Sequence, residues 1–166
     1  MQVHSNRDPA AQLDGLIEDA LPDRRGLAAW FAFLRAHSSL MRELSIDLAM
    51  KTHLPLGDFD ALFQLAHAGG ELRMTDLAAR TYSSRSAMTR RVDRLVDEGL
   101  VERSSSAADG RGVVIALSET GMARLVEAVP VHVKGVSELF IEQLDEEELA
   151  VLERALEKVS LNRSFG

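Results

Sequence analysis

Apolar residues recur at intervals of three and four along most of the chain, and this spacing predicts a largely helical protein. A long helix is predicted from Arg24 to Lys51, and its apolar stripe is long enough to need a packing partner. Two more helices are predicted near the end of the chain, from Glu119 to about Gln143 and from Asp145 onward. The first 23 residues are polar at the start and then form one short helix that ends at Pro22.

Two short helices joined by a tight turn are predicted in the middle of the chain. The first runs from Met74 to Arg80, and the second runs from Arg85 to Glu98 with Ser84 as its N-cap and Gly99 as its end. We expect Tyr82, in the turn between them, to pack beneath that turn. Two helices connected so closely indicate a helix-turn-helix unit.

A helix precedes this unit and a β-hairpin follows it. The preceding helix is predicted from about Asp58 to the glycine pair at 69–70, with Phe59 and Phe63 facing inward. The hairpin is predicted from a short strand at 100–103, a loop of small and polar residues, and a β-branched return strand at 113–117.

Charge is distributed unevenly along the chain. The whole sequence has 19 Lys and Arg against 26 Asp and Glu, a net charge of −7, which argues weakly against nucleic-acid binding. From Arg73 to Arg111, however, eight Arg stand against six acidic residues, so this segment is net positive. The exposed face of the second short helix carries groups that can contact phosphates and base edges, namely Arg85, Ser86, Thr89 and Arg90.

Composition argues against several other kinds of chemistry. The chain has no cysteine, which removes disulfides and thiolate sites. It has five histidines, and no pair among the four candidate ligands shows ligand spacing on one helix, so we expect neither a metal site nor a cofactor; the four candidates are His37, His53, His67 and His132. No stretch reaches the roughly 20 apolar residues that cross a bilayer, so we expect a cytoplasmic protein with no membrane partner.

A set of motifs across the middle of the chain resembles the multiple-antibiotic-resistance regulator (MarR) family. In order, they are Leu77-Ala78, Ser84 to Arg90, Val92 to Leu95, Gly99 to Val101, Asp109 to Arg111, and Leu117-Ser118. The resemblance extends from Arg24 to Val159. This sequence departs from the family pattern at Thr81 to Ser83, where Leu-Gly-Leu is common, at Arg91, where an apolar residue is common, and at Gly110, which replaces a second wing Arg.

The resemblance implies a mainly α fold with a small β-wing, in which a winged helix-turn-helix domain is flanked by terminal helices that form a dimerisation domain. Residues 1–23 would be a tail with a short helix, 24–53 and 119–163 the dimerisation helices, and 54–118 the DNA-binding domain. It also implies a homodimer that binds double-stranded DNA at a pseudo-palindromic operator, as a ligand-responsive transcriptional repressor. Arg111 at the wing tip would reach the minor groove, oriented by Asp109.

The candidate DNA-binding residues are Ser84, Arg85, Ser86, Thr89, Arg90, Arg94, Arg103, Asp109 and Arg111. For three arginines a structural alternative stays open. Arg94 has nearby Asp97 and Glu98 as possible partners, Arg91 has a stem able to cover apolar surface, and Arg103 has acidic neighbours.

A pocket for a small aromatic or lipophilic effector, between the dimer helices and the DNA-binding lobe, is implied by the resemblance alone. Its candidate residues are Trp30, Phe33, His37, Phe59 and Phe63. From the residues alone, we expect the aromatic side chains, Phe31 among them, to build the core.

Two other classes of function compete with a sequence-specific regulator. One class is a helical protein-interaction module or a non-specific architectural DNA-binding protein; an architectural protein should be basic, and this chain is not. A hydrolase would need a nucleophile motif such as Gly-x-Ser-x-Gly, and the sequence contains neither that motif nor a phosphate-binding or dinucleotide-binding loop. We therefore expect no enzyme.

Overall fold

The computed structural model describes residues 8–21, 24, 26–105 and 112–161. These residues belong to two units, which divide between Ser39 and Leu40. The elements, in chain order, are α1 (Pro9–Ala20), α2 (Leu27–Thr52), α3 (Leu56–His67), β1 (Glu71–Arg73), α4 (Met74–Arg80), α5 (Arg85–Asp97), β2 (Val101–Ser105), β3 (Val113–Leu117), α6 (Glu119–Leu139) and α7 (Glu146–Leu161), with a 3-10 turn at Ile141–Gln143. The predicted mainly helical fold with a small β-hairpin is confirmed.

The first unit consists of α1 and the first half of α2. Asp8 caps α1 by accepting a hydrogen bond from the backbone N–H of Ala10 at 3.0 Å, and Pro9 occupies the first helical position. Arg24 lies within ion-pair distance of Asp14 and Glu18, at 3.9 and 3.8 Å. All of these charged side chains are exposed, so the pairs contribute little to stability.

The aromatic residues of α2 do not belong to the core of the single chain, which corrects the expectation that they are core residues. Trp30, Phe31 and Phe33 are 53%, 46% and 42% exposed. The physical reason is that the buried core is built from residues of the second unit, whereas these aromatic residues belong to the first.

The core of the second unit joins the end of α2 to α3, α4, α5, β3 and α6. Its most deeply buried side chains are Leu48, Leu54, Leu62, Leu65, Leu77, Met88, Val92, Leu95 and Ile115. Each such side chain contributes roughly 1.5–3 kcal/mol through burial. Because α4 and α5 supply four of these residues, the helix-turn-helix is held to its neighbours by the core itself.

The sheet is antiparallel with the strand order β1-β3-β2. Ile115 on the central strand pairs with Leu72 of β1 and Arg103 of β2, and its side chain is fully buried. The strand β1 was not predicted from the sequence. Three residues between a glycine pair and a helix are too few for an alternating pattern to be visible.

Several predicted boundaries shift in the structure. Helix α3 begins at Leu56, two residues before the predicted start, because the carbonyl of Pro55 already accepts hydrogen bonds from the N–H groups of Asp58 and Phe59. Helix α6 ends at Leu139 and gives way to the 3-10 turn. Helix α7 begins with a capping box, in which Asp145 and Glu148 bond to each other's backbone N–H at 3.0 and 2.8 Å.

Candidate nucleic-acid interface

The N-terminal half of α5 is an exposed polar surface on a well-anchored helix. Ser84 caps the helix, with its Oγ accepting from the N–H of Ala87 at 3.2 Å. Met88, Val92 and Leu95 bury the opposite face in the core. Helical spacing separates the buried residues of α5 from the polar ones. The polar face is therefore in contact with solvent, and it carries Arg85, Ser86, Thr89 and Arg90.

Two arginines on this face are unpaired. Within the part of the chain that the structure describes, Arg85 and Arg90 are exposed, and their guanidinium groups have neither a hydrogen-bond partner nor an ion-pair partner. The hydroxyl of Thr89 donates to the carbonyl of Arg85 at 2.9 Å, and the hydroxyls of Ser84 and Ser86 lie 3.3 Å apart. The surface therefore offers two unpaired guanidinium groups beside three hydroxyls, a set suited to phosphates and base edges.

A surface cavity with a volume of about 310 Å³ lies next to this face. It is lined by Arg73, Met74, Thr75, Arg85, Gly112 and Val113. The start of α4, the start of α5 and the loop end of β3 thus meet at one place. Two of the six lining residues are arginines, Arg73 and Arg85.

Two further arginines of α5 are held by a buried carboxylate. Asp58, in the first turn of α3, is 1% exposed and forms ion pairs with Arg91, at 3.3 Å from Nε to Oδ1, and with Nη2 of Arg94. We call Asp58, Arg91 and Arg94 the Asp58 cluster. Arg91 also donates to Oγ of Ser83 at 3.3 Å, and its guanidinium lies close over Gly57, where an added Cβ would require the guanidinium to move. The cluster therefore joins α3, the turn before α5, and α5 itself.

Sequence reasoning did not find the Asp58 cluster. The acidic partner of Arg94 is Asp58, 36 positions away, rather than the nearby Asp97 or Glu98. Arg91, which the sequence left open between covering apolar surface and contacting DNA, is half-buried against Asp58 and Ser83. No local pattern marks a pair so distant in sequence, and only the packing of α3 on α5 brings it together.

The hairpin is tied to α5 by an exposed ion pair. Nη2 of Arg103 on β2 lies 2.7 Å from Oδ1 of Asp93, and the two side chains are 37% and 52% exposed. This pairing with an acidic neighbour is the structural alternative expected for Arg103. An exposed pair of this kind is weak, so the guanidinium remains available to other anions. Asp109 and Arg111 lie outside the described residues.

Tyr82 projects from the turn between α4 and α5 instead of packing beneath it, which corrects the expectation. Its side chain is 98% exposed and its backbone is left-handed, with a φ of +49°. The turn closes by hydrogen bonds from the N–H of Tyr82 to Ala79 and from the N–H of Ser83 to Ala78. This is the Schellman ending of a helix, in which the left-handed position is usually glycine.

The candidate pocket residues fall into two groups, one in each unit. Along α2, Trp30 stacks on Phe33 with ring centroids 6.1 Å apart, and His37 follows at 6.2 Å. On α3, Phe59 and Phe63 are stacked at 5.9 Å. Phe59 is 5% exposed, whereas Phe63 is 41% exposed, so Phe63 does not lie in the core.

Phe63 borders an apolar groove between α3 and α6. The groove has a volume of about 420 Å³ and is lined by Phe63, Ala66, His67, Met122, Leu125, Val126, Val129 and Pro130. Sequence reasoning missed all of these residues except Phe63, because the groove exists only where two helices distant in sequence pack together. The groove is large enough for a small aromatic molecule.

His132 lies next to this groove wall in a partly buried position. Its ring is 4.6 Å from that of Phe59, and its Nδ1 is buried with no hydrogen-bond partner among the described residues. Burial lowers the pKa of His132 below its ordinary value of 6.5, and the charge of Asp60 partly opposes that shift.

Within the described residues, no group of three or more histidine and acidic side chains is placed to bind a metal ion. In the same part of the chain, no helix is long and apolar enough to span a membrane.

Comparison with known proteins places this geometry in a family. A sequence profile described as the MarR family matches residues 54–112, which include α4, α5 and most of the hairpin. An uncharacterised helix-turn-helix transcriptional regulator from Bacillus cereus is 28% identical over 134 residues, covering 81% of this chain and 88% of that protein.

Two solved structures from Streptomyces coelicolor are similar over most of their length. AbsC, a MarR family transcriptional regulator, is 30% identical with a TM-score of 0.77, and the match covers 82% of this chain and 92% of AbsC. Sco3205, a MarR family regulator solved in complex with DNA, is 27% identical with a TM-score of 0.78, over 83% of this chain and 87% of Sco3205. Together with the exposed face of α5, these similarities show that the chain belongs to the MarR family of transcriptional regulators.

Proposed function

We propose that this regulator binds a pseudo-palindromic operator as a homodimer, acts as a ligand-responsive repressor in the cytoplasm, and has no catalytic role. The observation that carries the proposal is the N-terminal half of α5, where Arg85 and Arg90 are unpaired while the helix beneath them is fixed by the core. A recognition helix inserts this half into the major groove. The similar regulator Sco3205 was solved in complex with DNA, which supports DNA binding by this chain.

The proposed contacts divide by role. Arg85, Ser86, Thr89 and Arg90 would meet base edges and phosphates in the major groove. Ser84 would contribute through the N-terminus of α5 that it caps, and Arg103 through phosphates beside the hairpin. Arg94 is held by Asp58 yet half-exposed, so it would reach a phosphate only at the margin of the surface. We also propose that Arg111, oriented by Asp109, contacts the minor groove. This contact is proposed from the family resemblance.

Operator binding is tested by selecting duplexes from a randomised library with the purified protein. The selected duplex and a scrambled duplex of the same length are then titrated at several salt concentrations. We expect selective binding whose affinity falls steeply with salt, and a slope reduced by about one for each of Arg85→Ala and Arg90→Ala if each contacts a phosphate. Equal binding to both duplexes would instead favour an architectural DNA-binding protein.

The homodimer is proposed because several helices expose apolar side chains that the single chain leaves uncovered. On α7, Val151 and Val159 are 49% and 64% exposed, and the aromatic face of α2 is exposed as well. Exposed apolar side chains on helices of this kind are typical of a subunit interface. We expect Val151→Asp combined with Val159→Asp to give monomers in sedimentation velocity and to lose operator binding. Val113→Asp, at an exposed valine of β3, is the matched control and should stay dimeric.

The groove between α3 and α6 is the proposed effector site, with Phe59 behind Phe63 as its support. Trp30, Phe33 and His37 belong to the first unit and stay a prediction that rests on the family resemblance. A panel of small aromatic acids and phenols is screened for compounds that raise the melting temperature and release the selected duplex. We expect Val126→Trp, at the groove, to lose the response. Val133→Trp, equally exposed on α6 but outside the lining, should keep it.

A further inference from the structure

The backbone of Tyr82 has a conformation that a tyrosine does not favour. The residue occupies the left-handed position of the Schellman ending of α4, with a φ of +49°. A Cβ atom in this region clashes with the following carbonyl, which is why glycine or asparagine is usual there. The chain therefore carries a strained residue at a position where glycine would be the stable choice.

No packing within the chain compensates for this strain. Tyr82 is 98% exposed, whereas the next most exposed large apolar side chain among the described residues, Met50, is 69% exposed. A side chain that contributes nothing to the fold, at a position where it raises the free energy of the folded state, points to a contact with another molecule.

The turn that carries Tyr82 is anchored on both sides of the residue. The hydroxyl of Thr81 donates to the carbonyl of Leu77 at 2.9 Å, and Oγ of Ser83 accepts from Nη1 of Arg91 in the Asp58 cluster. The Cα of Tyr82 is thus fixed two residues before Ser84, the cap of α5. Ordering a tyrosine ring from a fixed backbone costs little entropy, because only two side-chain torsions must be restricted.

We propose that the hydroxyl of Tyr82 donates a hydrogen bond to a DNA phosphate oxygen at the edge of the major groove that α5 enters. This inference rests on the proposed DNA-binding function. The first helix of a helix-turn-helix crosses the sugar-phosphate backbone, and helix N-termini contact phosphates, so the turn between the two helices lies near that backbone. Tyrosine hydroxyls are among the groups that bind phosphates. Arg80 and Arg85, on either side of the turn, add positive charge near such a phosphate.

The test compares wild type, Tyr82→Phe and Tyr82→Asn on a duplex selected by the wild-type protein and on a scrambled duplex of the same length. Tyr82→Phe should weaken binding to both duplexes by about three- to tenfold, because one hydrogen bond to a phosphate is lost and no base is read. Its salt dependence should equal that of wild type, since no cation is removed. Tyr82→Asn should bind DNA at least as weakly as Tyr82→Phe. Its melting temperature should equal or exceed that of wild type, because asparagine tolerates the left-handed backbone.

Each other result overturns the inference in a distinguishable way. If Tyr82→Phe binds like wild type, the hydroxyl is not the donor, whether or not Tyr82→Asn is impaired. If the loss is confined to the selected duplex, Tyr82 reads a base instead of a phosphate. A wild-type protein that binds neither duplex would overturn both the proposed function and this inference. Selective wild-type binding with unaffected variants would overturn the inference alone.

Discussion

Asp58 and Arg91 form an ion pair that joins the first turn of α3 to the middle of α5, with 3.3 Å between Nε and Oδ1. Asp58 is buried, and Arg91 reaches it by passing over Gly57 and also donates to Ser83. The arginine stands where the MarR family commonly has an apolar residue. In this chain an ionic contact therefore takes part in holding α5 against α3, in addition to the apolar core.

Replacing Asp58 with asparagine should destabilise the protein by about 1–3 kcal/mol, because two guanidinium groups lose their carboxylate while the side chain keeps its shape. Urea unfolding measures the change. Asp93→Asn is the matched control, since it removes an exposed carboxylate from Arg103, and it should change stability by no more than about 0.5 kcal/mol. Equal changes in the free energy of unfolding for the two substitutions would show that the burial of Asp58 does not strengthen its ion pairs.

Neighbouring arginines of α5 should give opposite results when each is changed to alanine. Arg91→Ala removes the contacts to Asp58 and Ser83, so we expect a loss of about 1–3 kcal/mol of stability. Arg90→Ala should leave stability within about 0.5 kcal/mol and weaken operator binding by about 1–3 kcal/mol if Arg90 makes a base contact. Thermal unfolding and duplex titration of both variants check this, and a stability loss for Arg90→Ala would contradict it.

Gly121 in the first turn of α6 should not tolerate a side chain. A methyl group there would collide with the backbone carbonyl of Leu100, which is itself fixed by a hydrogen bond from the N–H of Ser118 at 3.1 Å. We expect Gly121→Ala to cost about 1–3 kcal/mol in the free energy of unfolding. Gly15→Ala, in α1 with no atom near the added methyl, should cause no loss, and a similar loss in both variants would rule out the collision as the cause.

Stability should fall as the pH drops through 6.5, in part because of His132. Its pKa in the folded protein is lowered by burial, so the unfolded chain takes up the proton first and acid favours unfolding. The contribution of His132 is complete above its ordinary pKa of 6.5 and is lost as the pH falls toward the folded value. Melting temperatures on either side of pH 6.5 should differ less in His132→Phe than in wild type.

Asp60 provides a control for this pH dependence. Its charge raises the pKa of His132, so Asp60→Asn should lower that pKa further and make the loss of stability in acid larger than in wild type. An identical pH dependence in wild type, His132→Phe and Asp60→Asn would remove His132 from the explanation.

The sequence by itself determined the helices, the cap of α5 by Ser84 and the exposed face with Arg85 and Arg90. These features depend on helical spacing and local capping, which neighbouring residues specify. The hairpin strand at 113–117 was also visible, because β-branched residues are concentrated there.

Only the tertiary structure decided the features that depend on residues far apart in the chain. Asp58 meets Arg94 across 36 positions, β1 is a strand because it pairs with β3, and the groove beside Phe63 exists because α6 packs on α3. At Tyr82 the residue type was misleading. A tyrosine was expected to pack beneath the turn, but the turn places it in a left-handed conformation with its side chain exposed. Local patterns record which face of a helix is apolar, but they do not record which partner covers that face or leaves it open.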